Sequence, residues 1–185
     1  MTKGQRVDEP EPAVIRAAAA GDLGAFEQLV RVYQQHVWRF LRRLLGDAAT
    51  AEDVTQETFL RVHRRLPTYR FRSSFTAWVF QIARNAGIDE LRSRQRRTRL
   101  LSLAARPDPP AAAPETRAEI EAALASLPVD LREAVVLVEV LGLRYREVAR
   151  VLGVPEGTVK SRVFNARSRL HRWSTADEER ASGEV

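Results

Sequence analysis

The chain has 185 residues, 44% hydrophobic and 29% charged, a globular composition long enough for one ordinary domain or two small ones. Its net charge of +6 conceals an asymmetry: residues 61–99 carry 11 basic and 2 acidic side chains, residues 144–172 carry 8 and 2, and the remainder sums to −9. The absence of cysteine excludes a disulfide framework and a thiolate metal site, and no apolar run approaches the roughly 20 residues of a bilayer span.

Two basic blocks on an otherwise acidic chain imply two surfaces for a polyanion, because neutralising phosphates is the sequence-independent part of nucleic-acid binding. Residues 1–12 are polar, hold two prolines and lack the apolar core of a signal peptide. They are expected to be disordered, and the protein is expected to stay in the cytoplasm without membrane insertion.

A helix is expected over residues 13–20. After Gly21 and Asp22, a break and an N-cap, a long helix is expected to run to Leu45, with Phe26, Leu29, Val30, Tyr33, Val37, Phe40, Leu41 and Leu44 on its apolar stripe. Gly46 ends it. Thr50 and Asp53 read as a capping box opening a helix over residues 51–66, whose core face is Ala51, Val54, Thr58, Val62 and Leu66. The opposite face carries Asp53, Gln56, Glu57, Leu60 and Arg64, so a leucine stands in a polar, acidic stripe. That stripe is either a modest docking surface or an acidic solvated face with one exposed leucine.

Residues 67–74 form a loop in which Tyr69 and Phe71 alternate with Arg70 and Arg72, a composition suited to stacking on unpaired bases. The helix expected over residues 75–97 buries Phe75, Val79, Ile82, Ala83 and Ala86, while Trp78, Gln81, Asn85, Ile88 and Arg92 fall in a narrow arc beside that stripe. Trp78 either joins the core or stands with that arc. Arg92, Arg94, Arg96, Arg97 and Arg99 then give five basic residues in eight, more than capping a helix C-terminus requires.

Residues 104–114 contain four prolines and five alanines, an extended, flexible linker that at about 3.1 Å per residue could separate two bodies by roughly 30 Å. The expected organisation is therefore a tail over 1–12, a first helical domain over 13–103, the linker over 104–114, a second domain over 115–173 and a frayed tail over 174–185. In the second domain a helix over 115–126 precedes one that Pro128 starts and Gly142 stops. Residues 145–173 then read as two helices about a glycine turn. The first buries Val148, Ala149, Val151 and Leu152 before Gly153. The second, with Pro155 at its first position, aligns Val159, Val163, Ala166 and Leu170. Its free face bears Thr158, Lys160, Ser161, Arg162, Asn165, Arg167 and Arg169. This is either a helix-turn-helix, whose second helix enters the DNA major groove, or an ordinary helical hairpin with a solvated charged face.

The fold class is all-α, two small helical domains with the helix-turn-helix in the second. The three histidines stand on different helices without cysteine neighbours, and the acidic residues outside the basic blocks are placed on helix surfaces or in tails. No phosphate-binding glycine loop or nucleophile elbow is present, so a binding module is expected instead of an enzyme, with neither metal nor cofactor.

Asp53-Val-Thr-Gln-Glu-Thr-Phe59, Phe75-Thr-Ala-Trp-Val-Phe-Gln-Ile-Ala-Arg-Asn85 and Asp89-Glu-Leu-Arg92 resemble region 2 of bacterial extracytoplasmic-function (ECF) sigma factors. Leu127-Pro128, Leu143-Arg-Tyr-Arg-Glu-Val-Ala149 and Gly157-Thr-Val-Lys-Ser-Arg-Val-Phe-Asn-Ala-Arg167 resemble region 4 of the same family. The resemblance implies core RNA polymerase as partner, through the clamp helices of its β′ subunit and through its β subunit, with Asp53, Gln56, Glu57 and Leu60 docking on the clamp helices. It implies that Tyr69, Trp78, Asn85 and Asp89 open the promoter minus-ten element and hold a base flipped from the non-template strand, in a surface that also includes Arg70, Phe71, Gln81 and Arg92. Lys160, Ser161, Phe164 and Asn165, flanked by Arg144, Thr158, Arg162 and Arg167, would read the minus-thirty-five element as duplex. A membrane-linked anti-sigma factor would mask the free protein.

Val138 stands where the family often carries a DNA-contacting arginine, and Asn165 replaces a frequent arginine, which favours amide readout of adenine over guanine. A repressor or activator bound to an operator without polymerase, or a general RNA-binding protein, would also use the basic blocks. Neither explains the acidic stripe followed by the aromatic loop and the Trp-Asn helix.

Overall fold

Helix boundaries follow the chain's polar punctuation. Asp22 accepts a hydrogen bond from Ala25 N at 3.0 Å and opens α2 (Leu23–Leu45), which follows α1 (Pro12–Ala19). Gly46 closes α2 with φ of 78°, a left-handed conformation that a side chain would strain. Asp47 then caps α3 (Ala48–Arg65) by accepting from Thr50 N at 2.8 Å, and the Thr50 hydroxyl, together with that backbone bond, holds its carboxyl below the ordinary value. The expected Thr50–Asp53 capping box is thus corrected: the sharp turn at Gly46 brings Asp47 into capping position three residues earlier. A single 3₁₀ turn (Leu66–Thr68) leads through a loop to α4 (Phe75–Leu101).

The computed structural model describes residues 7–101 and 115–182; the 104–114 linker lies outside the described residues. Every described element is a helix or a turn. The second unit comprises α5 (Glu115–Ser126), α6 (Val129–Val135), a π turn (Val136–Val140), α7 (Tyr145–Leu152) and α8 (Glu156–Ser182). Pro155 stands one position before its helix instead of first within it, whereas Pro128 directly precedes Val129, the expected start of α6.

In the first unit α2, α3 and α4 enclose Tyr33, Phe40, Leu41, Leu44, Val62, Leu66, Phe75 and Phe80. Two edge-to-face ring pairs, with centroids 5.5 Å (Tyr33–Phe75) and 5.9 Å (Phe40–Phe80) apart, adopt an arrangement favoured by the ring quadrupoles. All five residues assigned to the inner face of α3 are buried. α4 approaches α2 at Gly87, where a Cβ would come within 2.8 Å of Leu44 Cδ2 and 3.0 Å of Leu41 Cδ2. Gly87→Val is accordingly expected to destabilise the protein by about 1–3 kcal/mol through overpacking, read as a lower urea midpoint with unchanged slope. An unchanged midpoint would mean that the leucines yield without cost.

Three expectations change. Residues 7–12 are not a loose tail: Val7 is buried, and the Glu9 carboxylate accepts from Phe75 N, Thr76 N and Thr76 Oγ1. An anion at that helix start meets unpaired N–H groups and the positive end of the dipole, which is why the arm folds back. The helix expected over residues 129–141 widens at Val136–Val140, where Leu141 N reaches Val136 O at 3.1 Å, five residues back. The expected frayed tail instead continues α8 as far as Ser182.

The two helical units touch directly. α4 packs on α7, and α2 packs on α5 and α6. Arg42 Nη2 meets Glu121 at 2.5 Å, Arg132 Nη1 donates to Leu44 O at 3.0 Å in the last turn of α2, and Arg84 grips Glu133. Glu133 is 1% exposed, which corrects the placing of the acidic residues on helix surfaces: two arginines make its burial tolerable.

Candidate nucleic-acid interface

The outer stripe of α3 is laid out as its periodicity predicts. Asp53, Gln56 and Leu60 are exposed, Leu60 at 56%, while Glu57 is half-exposed and accepts from Arg61 Nε at 2.8 Å. That bond holds the Glu57 carboxyl below its ordinary value and raises Arg61, which also reaches Asp89 at 3.3 Å. Leu60 and Gln56 form the lip of an apolar groove shared with Leu23, Phe26 and Val30 of α2 and Phe59 of α3. Sequence reasoning missed the α2 side of this groove, because Phe26 and Val30 also satisfy the pattern of a buried stripe; Phe26 instead packs on the His63 ring at 4.9 Å.

The loop after the 3₁₀ turn folds onto the first turns of α4. Tyr69 is the hub, with centroid distances of 4.8 Å to Phe71, 5.1 Å to Trp78 and 5.5 Å to Phe75. Its hydroxyl donates to Ser73 O at 2.6 Å, and burial together with the Glu9 carboxylate pushes its pKa up to about 12, so it remains a neutral phenol. Phe71 has φ of 55°, unusual for a bulky residue, and this turns its ring outward to 45% exposure with the Arg16 guanidinium 5.9 Å from its centroid. Trp78 is half-buried, so it stands both against the core and at the surface. Together with Tyr69, Arg70 and Arg72 it lines an open hollow of the shape and chemistry to take a planar, electron-rich group.

Beneath this cluster, Glu9 and Ser74 share the start of α4, Ser74 Oγ accepting from Ala77 N at 3.2 Å. Thr76 donates its one hydroxyl proton to Glu9, so the buried Tyr33 hydroxyl must donate to Thr76 Oγ1 at 2.7 Å. Gln81, Asn85, Asp89 and Arg92 continue along the exposed side of α4. The last three open onto a second cleft, between α3 and α4, that also receives Arg61, Arg65 and Arg84. The structure thus sets Tyr69, Arg70 and Trp78 in an aromatic hollow and Asn85, Asp89 and Arg92 in an arginine-rich cleft, with Phe71 and Gln81 lining neither.

On α8, Val159, Val163 and Ala166 are buried against α6 and α7, which leaves Lys160, Ser161, Phe164, Asn165 and Arg167 exposed and Thr158 half-buried. Phe164 is 69% exposed, a large apolar ring in open solvent. Gly153, with φ of 68°, makes the turn between α7 and α8, and Arg144 stands exposed at the start of α7. Three cations of this face are already engaged, the first being Lys160, which lies 3.5 Å from Glu156. Arg162, only 22% exposed, lies 3.5 Å from Glu133 and 3.6 Å from Asp130, and Arg167 pairs with Glu139, which raises its pKa. Val138 is half-buried within the π turn.

Among the described residues no cluster of His, Cys, Asp or Glu could hold a metal ion, and no helix is long and apolar enough to cross a membrane. The profile for Sigma-70 region 2 matches residues 29–97, and that for Sigma-70, region 4 matches residues 117–170. The ECF RNA polymerase sigma factor SigC of Mycobacterium tuberculosis is 40% identical over 179 residues, covering 92% of this chain and 94% of its own. Among solved structures, the sigma factor RpoE of Bartonella quintana, in complex with the anti-sigma factor NepR, superposes with a TM-score of 0.73 at 27% identity over 82% of this chain and 98% of its own. CnrH in complex with the cytosolic domain of CnrY gives 0.71 at 27% identity, over 89% and 97%.

Proposed function

Because this chain belongs to the ECF sigma factors of the sigma-70 family, we propose that its three exposed surfaces divide the work of promoter-directed initiation between polymerase, unpaired strand and duplex. Asp53, Gln56, Glu57 and Leu60 dock on the β′ clamp helices of core RNA polymerase. Tyr69, Arg70, Phe71 and Trp78 hold a base extruded from the non-template strand, with Gln81, Asn85, Asp89 and Arg92 along its path. Stacking against the aromatic cluster offsets the cost of unpairing. Lys160, Ser161, Phe164 and Asn165 enter the major groove of the minus-thirty-five element, flanked by Arg144, Thr158, Arg162 and Arg167. No bond is made or broken by this chain; it supplies recognition, and the polymerase supplies the chemistry. It works in the cytoplasm under an anti-sigma factor, as relatives of its fold are bound by such partners.

The observation that carries this reading is the coexistence in one chain of the exposed Leu60 stripe, the Tyr69–Trp78 cluster and the solvent-facing side of α8. Mixing the protein with core polymerase and promoter fragments tests it: specific initiation is expected, whereas operator binding without initiation would identify a different kind of regulator. Lys160→Ala and Asn165→Ala should each weaken the upstream contact, with about 1–3 kcal/mol lost for a bidentate amide–adenine pair. Competition binding against point-substituted upstream elements measures it. Equal loss on every sequence would assign these side chains to phosphates instead of bases.

A further inference from the structure

The first turn of α4 is closed by a residue that lies upstream of the Sigma-70 region 2 match, which begins at residue 29. An α-helix leaves its first N–H groups without intrahelical partners. Ser74 Oγ takes one of them, Ala77 N at 3.2 Å, and Glu9 takes the two before it: one carboxylate oxygen accepts from Phe75 N, the other from Thr76 N at 3.2 Å and Thr76 Oγ1 at 2.7 Å. Buried Val7 seats the arm beside them. Phe75 is also the floor of the aromatic cluster, its ring centroid 5.5 Å from those of both Tyr69 and Trp78. Trp78 N donates to Ser74 O at 3.1 Å, and the Tyr69 hydroxyl donates to Ser73 O. Both rings that line the hollow therefore take their position from residues 73–76, the turn that Glu9 closes. A carboxylate has no favourable contact to offer a polyanion, so its value beside this surface lies in placement.

We propose that Glu9 is a positioning residue for strand opening: by closing the first turn of α4 it fixes Phe75, and through Phe75 the rings of Tyr69 and Trp78, in the attitude that receives an extruded base. That the hollow receives a base rests on the sigma-factor reading. A binding site of this kind works when its side chains are locked in advance by packing and by supporting hydrogen bonds. Without the carboxylate the two backbone N–H groups turn to water, and the rings gain freedom that must be lost again when a base stacks on them. Glutamine keeps the size of the side chain but offers one acceptor oxygen in place of two. At least one N–H of the turn is then left facing the amide NH2 group, donor against donor. The fold has little at stake in this change, because Glu9 is an exposed residue and the core of the unit is built by α2, α3 and α4.

The chain has three tryptophans, so Trp38→Phe with Trp173→Phe leaves Trp78 as the only emitter in the full-length protein. In that free chain, adding Glu9→Gln should raise acrylamide quenching of Trp78 about twofold as its surroundings loosen. Asp47→Ala is the control. It removes a helix cap of the same kind from the start of α3, about 27 Å of helix away from the loop, and should leave the quenching unchanged. With core polymerase on a duplex promoter, Glu9→Gln should lower permanganate reactivity of the minus-ten element about fivefold, the lower end of what stacking on a base contributes. Closed-complex affinity should stay at the level of the unmodified protein, and Asp47→Ala should open the promoter normally. Combined with Trp78→Ala, Glu9→Gln should cost far less than it does alone, because the ring it holds is already gone. A cap that only stabilised the fold would add its full loss. If Trp78→Ala loses its helical circular dichroism, the quenching comparison decides alone. Unchanged quenching in Glu9→Gln, an equal rise in Asp47→Ala, or additive losses in the pair overturns the proposal. Failure of the unmodified protein to open any promoter would count against the sigma-factor reading instead, because quenching in the free chain does not depend on polymerase.

Discussion

Leu60→Asp is expected to abolish capture of core RNA polymerase while leaving the helical signal and the unfolding midpoint unchanged. The side chain is 56% exposed and supports little of the core, so a polar replacement there costs the fold a few tenths of a kcal/mol at most. In a docked complex the same residue is the apolar centre of a polar stripe and forms the lip of the groove between α2 and α3. Central apolar anchors commonly contribute about 2–4 kcal/mol to an interface, a factor of roughly 30 to 1,000 in affinity. The aspartate would also carry a charge into a surface that must shed water. Immobilised core polymerase with purified variant protein measures the effect, and full retention would move the docking surface away from α3.

Trp78→Ala should leave the closed promoter complex nearly intact and impair strand opening. Trp78 reaches the surface beside the more exposed Phe71, while Tyr69 and Phe75 hold it from behind at 5.1 and 5.5 Å. Stacking on an unpaired base is worth about 1–3 kcal/mol, or about 5- to 150-fold on the opening equilibrium. Permanganate reactivity of the minus-ten element should fall on duplex templates and recover on a template melted in advance. Tyr69→Ala should behave alike, and circular dichroism must first show that each variant is folded, because Trp78 is half-buried. Normal opening accompanied by weaker duplex affinity would place this cluster on double-stranded DNA and refute the division of labour between the two units.

Local periodicity carried much of the fold into the sequence. The inner face of α3 and the buried stripe of α8 follow from a 100° advance per residue, and the turns at Gly46 and Gly153 follow from their need for a left-handed backbone. Misjudged positions depend on partners far along the chain. Glu9 finds Phe75 N 66 residues away, and Glu133 finds Arg84 49 residues away. Neither a charged arm nor an isolated glutamate in an apolar run announces such a partner. Arg94 teaches the same lesson from the opposite side. Counted among surplus positive charge, it in fact ties Leu45 O, Asp47, Thr50 and Glu90 together at the α2–α3 corner. For the interface, the sequence revealed which side chains lie outward; which of them already hold a carboxylate depended on the packing of α6.

The π turn at Val136–Val140 sets a rule for how this chain can vary. An α-helix advances about 100° with each residue, and a widened turn absorbs one extra residue without lengthening the helix by a full step. The segment therefore works as a phase shifter between α6 and the helix-turn-helix. Its side chains can be exchanged among β-branched and leucine types of similar volume at modest cost. Its length cannot change so easily: deleting one residue would restore regular winding but swing Leu141 and Leu143, both buried, about a quarter-turn off their seats, and the recognition helix with them. Drift within this family should accordingly show substitutions here far more readily than insertions or deletions.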